Sequence, residues 1–337
     1  MNQVSTIREL YAFDDWATNR VIAAAVPLAN ELLDREFDIG LKSLRGTLLH
    51  TYSAKQIWIE RIRVGVDAKW EKLDGRTSIE QLRTLDAALN QRYAAHFQTL
   101  NDASLERRLD YRDMRGNQHN SRLLDVLLHV ANHGVYHRAQ ASNMLRHVGA
   151  KPPRVDYIFR YFEQSELPPP NLSRQAVQYY FMATDWARDL ALDAAANLTD
   201  EQLDRPFEMG VGTIRGTFSH IEDAERWWLQ NWIGEAAVGF PKPSKTNTID
   251  RLRDRFNETA QRRNALIESL RSDDELKRIV EAKPAADRTI RFPLGVTMLQ
   301  LCTHGTHHRA QVFNMLKRVG GTVPGNDLIL MTRTPTS

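Results

Sequence analysis

Apolar residues recur at helical spacing over long stretches of this chain. Across 5–27, Ile7, Leu10, Tyr11, Phe13 and Trp16 fall near a 3.6-residue period, which predicts an amphipathic helix. A second periodic stretch covers 43–65, with Ser43 placed as its N-cap. A third covers 78–100, where Ser78 and Gln81 form the Ser-x-x-Gln pattern of a capping box. A fourth covers 121–148 and is stopped by Gly149, with "KPP" immediately beyond. Between the third and fourth, 105–121 alternates weakly around Gly116-Asn117 and reads as a loop or short hairpin. The same succession returns at 173–196, 213–234, 247–270 and 295–319. Four helices with apolar stripes bury one core as a bundle. The predicted fold class is therefore all-α, with two tandem four-helix bundles.

The two bundles are copies. Residues 133–149, "HGVYHRAQASNMLRHVG", align with 304–320, "HGTHHRAQVFNMLKRVG", with eleven of 17 positions identical at an offset of 171. Upstream, "LDREFDIGLKSLRGTLLH" (33–50) aligns with "LDRPFEMGVGTIRGTFSH" (203–220), and "DDWA" (14–17) with "TDWA" (184–187), both at an offset of 170. A single residue of drift across three blocks indicates internal duplication. The run "ELPPPNLS" (166–173) holds three consecutive prolines and favours an extended spacer, with Asn171 or Ser173 able to cap the helix that follows. The expected organisation is copy one over 1–165, a Pro-rich linker over 166–172, and copy two over 173–337.

Composition narrows the function classes. The net charge is +3 and no Lys/Arg block stands out, so the electrostatic footprint of a nucleic-acid binder is missing. The lone cysteine, Cys302, excludes an internal disulfide framework and any cysteine-rich zinc pattern. No stretch approaches the roughly 18 apolar residues of a membrane span, and the first twenty residues lack a signal-peptide pattern. Together these predict a cytoplasmic chain that acts on a small molecule, without nucleic-acid or membrane partners.

Among the 11 histidines, a few carry the candidate chemistry. His133 and His137 stand four apart on a predicted helix, as do His304 and His308, so each pair shares a face about 6 Å apart along the axis. Two imidazoles at that spacing converge on one ion. A third ligand is expected from the second helix: His50 in copy one and His220 in copy two, at matching repeat positions, 83 and 84 residues before the pair. Three neutral imidazoles leave coordination positions for a substrate, the layout of a catalytic metal site. The donor set suits zinc, nickel, iron or copper. Against this stands the ordinary role of histidine as a solvent-facing or hydrogen-bonded side chain, and recurrence of all three in both copies argues for use. The Glu of a His-Glu-x-x-His protease is absent, and no histidine has Glu three residues before it, which rejects a di-iron carboxylate bundle.

Other positions are weaker candidates. His129 has Gln300 as its counterpart in the other repeat and His307 has Tyr136, so these read at most as supports around the ligands. His96, His119 and His147 read as surface residues, and Cys302 as a small buried thiol. Arg45/Arg215 and Arg138/Arg309, the latter with Gln140/Gln311, either orient ligands, bind an anionic substrate, or bridge to carboxylates. Trp16/Trp186 and Trp58/Trp228 read as core aromatics, the latter pair also on a face that could line a pocket.

At "LLHVANHGVYHRAQASNMLRHVG" (127–149) and "LQLCTHGTHHRAQVFNMLKRVGG" (299–321) the sequence resembles the DinB/YfiT-like superfamily, the DinB family in particular. "RGTLLH" and "RGTFSH" fit that family's second-helix motif, and "DDWA" and "TDWA" its first. The resemblance covers nearly the whole chain, twice. It implies a four-helix bundle with a three-His site, usually holding zinc or nickel, and puts ligands at His50, His133 and His137, then at His220, His304 and His308. Tyr136 departs from the histidine common there, whereas His307 keeps it. Family members commonly pair as homodimers, so a tandem chain implies a fused pseudo-dimer, open to further self-association. Relatives include low-molecular-weight thiol S-transferases, a thiol-dependent isomerase and metal-dependent hydrolases.

Three readings of function follow. In the first, a metal lowers the pKa of a small thiol cosubstrate, supplying thiolate for transfer to an electrophile without a side-chain nucleophile. In the second, the metal activates water for hydrolysis; no Glu or Asp is tied to the motif by sequence, which disfavours it. In the third, the metal is held without catalysis, in a binding or stress protein.

Overall fold

The computed structural model describes residues 2–71, 73–242 and 246–332. Copy one runs α1 (Gln3–Ala25), a short α2 (Asn30–Leu33), α3 (Leu44–Val64), α4 (Ile79–Gln98), strands β1 (Arg108–Arg112) and β2 (Gln118–Arg122), α5 (Leu123–His147) and a short α6 (Tyr157–Glu163). Copy two repeats the order with α7 (Arg174–Ala196), α8 (Asp200–Asp204), α9 (Ile214–Ile233), α10 (Ile249–Ser269), β3 (Ile279–Ala285), β4 (Arg288–Pro293), α11 (Leu294–Arg318) and α12 (Leu328–Met331). The all-α reading holds, with four long helices per copy.

The caps expected at Ser43 and Ser78 form, and Thr213, not singled out in the sequence, caps the matching helix of copy two. Ser43 Oγ accepts from Gly46 N at 3.1 Å, and Thr213 Oγ1 does the same for Gly216 at 2.9 Å, which satisfies amides at the start of the two helices that carry His50 and His220. Ser78 and Gln81 make the reciprocal capping box of α4. Gly149 follows α5 at φ +79°, a conformation a side chain resists.

The stretch 105–121 resolves into a hairpin, and it shortens the predicted fourth helix. β1 and β2 pair antiparallel with Leu109 opposite Ser121 and Tyr111 opposite His119. Leu109 and Tyr111 point inward, and Tyr111 meets the Trp58 ring edge-on at 4.9 Å. The Leu123 amide then bonds to Arg107 O at 2.8 Å, so the hairpin sets where α5 begins. Copy two repeats this at β3–β4, with Leu294 N bonded to Arg278 O at 2.8 Å. The alternation is weak in the sequence because β2 (QHNSR) carries no apolar side chain and so has no apolar stripe.

The compact units do not follow chain order. One comprises Ile7–Val155 together with the segment from Asp327; the other comprises Asp156–Asn326 together with the chain start up to Thr6. The expected boundaries were contiguous at 1–165 and 173–337; the difference lies in the short helices. Within the second unit α6 packs on α11: Ile158 N donates to Gln300 Oε1 at 2.9 Å, and the Phe162 ring meets Phe292 at 4.8 Å. Within the first, α12 packs on α5 through buried Leu328 and Ile329. Each bundle is therefore finished by a short apolar helix from the other repeat's sequence. Among the described residues no helix is long and apolar enough to cross a membrane.

Candidate metal centres

In the copy-one bundle α5 is buried along almost its whole length and packs against α3. That contact brings His50 of α3 to the His133–His137 pair. His50 Nε2 lies 3.3 Å from His133 Nε2, and His137 Nε2 lies 3.1 Å from the same atom. In copy two, where α9 packs on α11, His220 Nε2 lies 3.1 Å from His304 Nε2, and the His304 and His308 ring centroids are 4.4 Å apart. In each triad the ligand-type atoms all lie within 4.8 Å of one another. The structure thus brings all six histidines singled out in the sequence into two groups of three.

The protonation state suits metal binding. Burial pushes His133 well below its ordinary value, with His137, His129 and His50 adding to the effect. Burial and the His50 charge lower His137 to about 4. Burial holds His304 and His308 well below the ordinary range, with His220 and His307 adding to it at both and His304 adding to it at His308. Burial also lowers His50 and His220, opposed by Asp327 at His50 and by Asp223 and Asp156 at His220. Neutral imidazoles carry the lone pairs that a metal takes.

The tautomers are set from outside. His137 Nδ1 donates to Gln140 Oε1 at 2.8 Å, and His308 Nδ1 to Gln311 Oε1 at 2.7 Å. With Nδ1 protonated, Nε2 presents its lone pair to the centre. Two nitrogens bound at about 2.0–2.1 Å in tetrahedral geometry stand about 3.3 Å apart, so the observed spacing fits a divalent ion. Gly40 and Gly210 make room for these glutamines: each has a positive φ, +47° and +55°, and a Cβ on either would run into the Gln140 or Gln311 side chain.

The repeated arginines turn away from this chemistry. Arg45 Nε bonds Asp34 Oδ1 at 2.6 Å and its Nη1 bonds Thr77 O at 3.1 Å; Arg215 makes the matching bonds to Asp204 and to Asn247 O, both at 2.8 Å. They tie the start of α3 or α9 to the loops around it. Arg138 is buried and paired with Asp14 and with Thr18 Oγ1 at 3.1 Å, while Lys55 Nζ meets the other Asp14 oxygen at 2.6 Å. Burial would raise Asp14, but Lys55 and Arg138 hold it below the usual carboxylate range. In copy two the charges are rearranged. Thr184, Glu225 and Arg263 stand where copy one has Asp14, Lys55 and Tyr93. Arg263 pairs with Asp185, and burial lowers Arg309 to about 10, opposed by Glu225. Bridging is what these arginines do: Arg45 and Arg215 reach from buried positions to exposed aspartates, Asp34 and Asp200/Asp204, and Arg138 pairs with the buried Asp14.

Several secondary readings change. His119 is half-buried and bonded to Asp113 at 2.9 Å, His147 packs beside Phe37, and His96 beside Phe97. Trp16 and Trp186 are half-buried, whereas Trp58 is enclosed between Tyr111 and His129. Cys302 is buried and its thiol is pushed well above its ordinary value by burial, an unreactive state. His307 Nε2 lies 3.2 Å from Gln311 Nε2, so it joins the support of His308.

Three residues near the centres had no signal in the motifs. Phe240, in the loop after α9, lies 6.0 Å from the His220 ring and 5.3 Å from Trp227, giving copy two an aromatic wall. Asp327 acts electrostatically on His50 and His137, and Asp156 on His220. The pairing at an offset of 171, 156 with 327, was the only sequence signal for these carboxylates.

The model of the DinB family matches this chain twice, over residues 1–170 and 173–335. The chain is also similar to "Protein DinB" of Bacillus subtilis (strain 168), 27% identical over 166 residues that cover 47% of this chain and 95% of that protein. No solved structure matches it.

Proposed function

Because this chain belongs to the DinB family, through both of its repeats, we propose that it is a metal-dependent enzyme that joins a low-molecular-weight thiol to a small electrophile, with one site in each bundle. The observation that carries the reading is the convergence of three histidine ligand atoms within 4.8 Å in each copy, with Nε2 atoms 3.1–3.3 Å apart where they meet and with His137 and His308 bonded through Nδ1 to a glutamine. His50, His133 and His137 would hold one zinc or nickel ion, and His220, His304 and His308 the other. When bound, the ion would lower the pKa of the cosubstrate thiol, so that thiolate is available at neutral pH. The chain's own residues do the rest. Gln140 and Gln311 fix the ligand rings, and burial keeps the imidazoles neutral. The only cysteine is buried and raised in pKa, so the nucleophile comes from the cosubstrate. Phe240 and Trp227 offer an apolar wall for the electrophile in copy two.

A second reading, metal-assisted hydrolysis, is supported by one observation: Asp327 acts electrostatically on His50 and His137, and Asp156 on His220, and a carboxylate is the kind of group that serves as a base for water. One experiment separates the readings. The purified chain is expected to hold two ions, falling to none in a His137→Ala/His308→Ala double variant. The loaded protein is then mixed with common cellular thiols and a chloro-nitrobenzene. Metal-dependent conjugation supports the transferase; hydrolysis of ester or amide substrates without any conjugation supports the second reading. A chain that retains no metal sinks both.

A further inference from the structure

A cavity opens between α1 and α4 of the copy-one bundle, lined by those two helices alone. It measures about 320 Å³, enough for a small organic molecule. Arg8, Tyr11 and Asp15 reach it from one face of α1, and Asn90, Tyr93 and Phe97 from one face of α4. The apolar wall is a ring cluster, with Tyr11 4.8 Å from both Tyr93 and Phe97. Asp15 supplies negative charge. It is half-buried, and its Oδ1 accepts from the side-chain amides of Asn19, at 2.8 Å, and of Asn90. Asn90 is itself held between Lys55 and Asp86. Lys55 is committed to Asp14, which it shares with Arg138. Among the described residues no lysine or arginine pairs with Asp15, and its Oδ2 accepts no hydrogen bond.

Copy two shows what fills such a place. At the matching positions, offset by 170, Phe181 stands for Tyr11, Asp185 for Asp15 and Arg263 for Tyr93. The Arg263 guanidinium is fully buried, bonds both oxygens of Asp185 and lies over the Phe181 ring, 4.2 Å from its centre. A carboxylate and an aromatic face are the two groups that hold a guanidinium best. Copy one keeps both groups and lacks the guanidinium, because Tyr93 turns its hydroxyl to Lys55 O at 2.8 Å. Arg8 adds a second feature. It lines the same cavity two turns of α1 before Asp15, about 10 Å along the axis. It gives a hydrogen bond to Phe97 O, and a guanidinium has further N–H donors to offer. The cavity thus asks for a cation at one end, an anion at the other and an apolar middle.

We propose that this cavity binds a short ω-guanidino acid. Its guanidinium meets Asp15 Oδ2, its methylene chain lies against Tyr11 and Phe97, and its carboxylate meets Arg8. Asn90 is a positioning residue that holds the Asp15 carboxylate. The site is independent of the metal reading and stands whether or not the triads hold ions.

Isothermal titration calorimetry on the metal-free full chain, with 4-guanidinobutyrate as the probe, tests this. Saturable binding at one site per chain is expected, because Arg263 fills the matching place in copy two. The uncharged-headed analogue 4-ureidobutyrate is expected to bind about tenfold or more weakly, the loss of a hydrogen bond between charged partners. Methylguanidine, which lacks the carboxylate, is expected to lose a similar factor. Asp15→Asn is expected to weaken 4-guanidinobutyrate binding to the same extent. Ala12→Trp puts a bulky ring at an exposed position of the lining, clear of the buried ion network, and is expected to abolish binding. No binding of 4-guanidinobutyrate overturns the proposal, as does equal affinity for either analogue. Binding that survives Ala12→Trp, with helical content intact, overturns it too.

Discussion

Gln140 accepts a 2.8 Å hydrogen bond from His137 Nδ1, three residues before it on the same helix, and Gln311 repeats this toward His308 at 2.7 Å. The bond selects the tautomer that turns Nε2 toward the triad. Gln140→Leu is expected to lower the zinc affinity of the copy-one site by about 10- to 100-fold, with the copy-two site unaffected. Chelator competition on single-site variants measures this directly.

Gly40 stands behind that bond. Its φ of +47° and the Gln140 side chain beside it both resist a Cβ. Gly40→Ala is expected to destabilise the chain by about 1–2 kcal/mol through the left-handed backbone and to weaken zinc binding by displacing Gln140. Thermal unfolding with and without zinc separates the two effects. Weakened zinc binding in Gly40→Ala but not in Gln140→Leu would refute the link.

The ion network behind the copy-one triad gives a third prediction. Asp14 bridges buried Lys55 and Arg138, so Asp14→Asn leaves two buried cations short of a partner, at a cost of about 3–5 kcal/mol. Copy two solves the same problem with Thr184 and Glu225. Asp14→Thr combined with Lys55→Glu is therefore expected to be less destabilised than either single change, because the new carboxylate can oppose Arg138 as Glu225 opposes Arg309. Urea unfolding of the four chains forms the double-mutant cycle, and additive losses would refute the coupling.

The pH dependence has a definite sign. His137 is lowered to about 4 in the folded chain, from the ordinary value near 6.5. Between those values the unfolded chain binds a proton that the folded chain does not. This contribution to stability is present above about pH 6.5 and is lost as pH falls towards about 4. His133, His304 and His308 are shifted the same way, again chiefly by burial. The thermal midpoint of the metal-free chain is expected to drop across that window. Replacing His133 and His137 together by glutamine is expected to flatten the drop.

Local physics makes much of this chain readable from its sequence. Helical period marked the eight long helices, and Ser43, Ser78 and Gly149 marked three of their ends, because caps act through neighbouring backbone. Duplication drew attention to His50, His133 and His137 and to their counterparts, since i, i+4 spacing places two imidazoles on one face whatever the rest of the chain does. Tertiary packing decided what local pattern cannot express. Which helix lies against α5, and hence that His50 meets the pair within hydrogen-bonding distance, depends on how the whole bundle closes. Whether Arg138 faces a substrate or Asp14 depends on a residue 124 positions away. That α6 and α12 finish the bundle of the other repeat's long helices depends on where their apolar faces are buried, a choice made by surface area and shape rather than by any residue's neighbours in sequence.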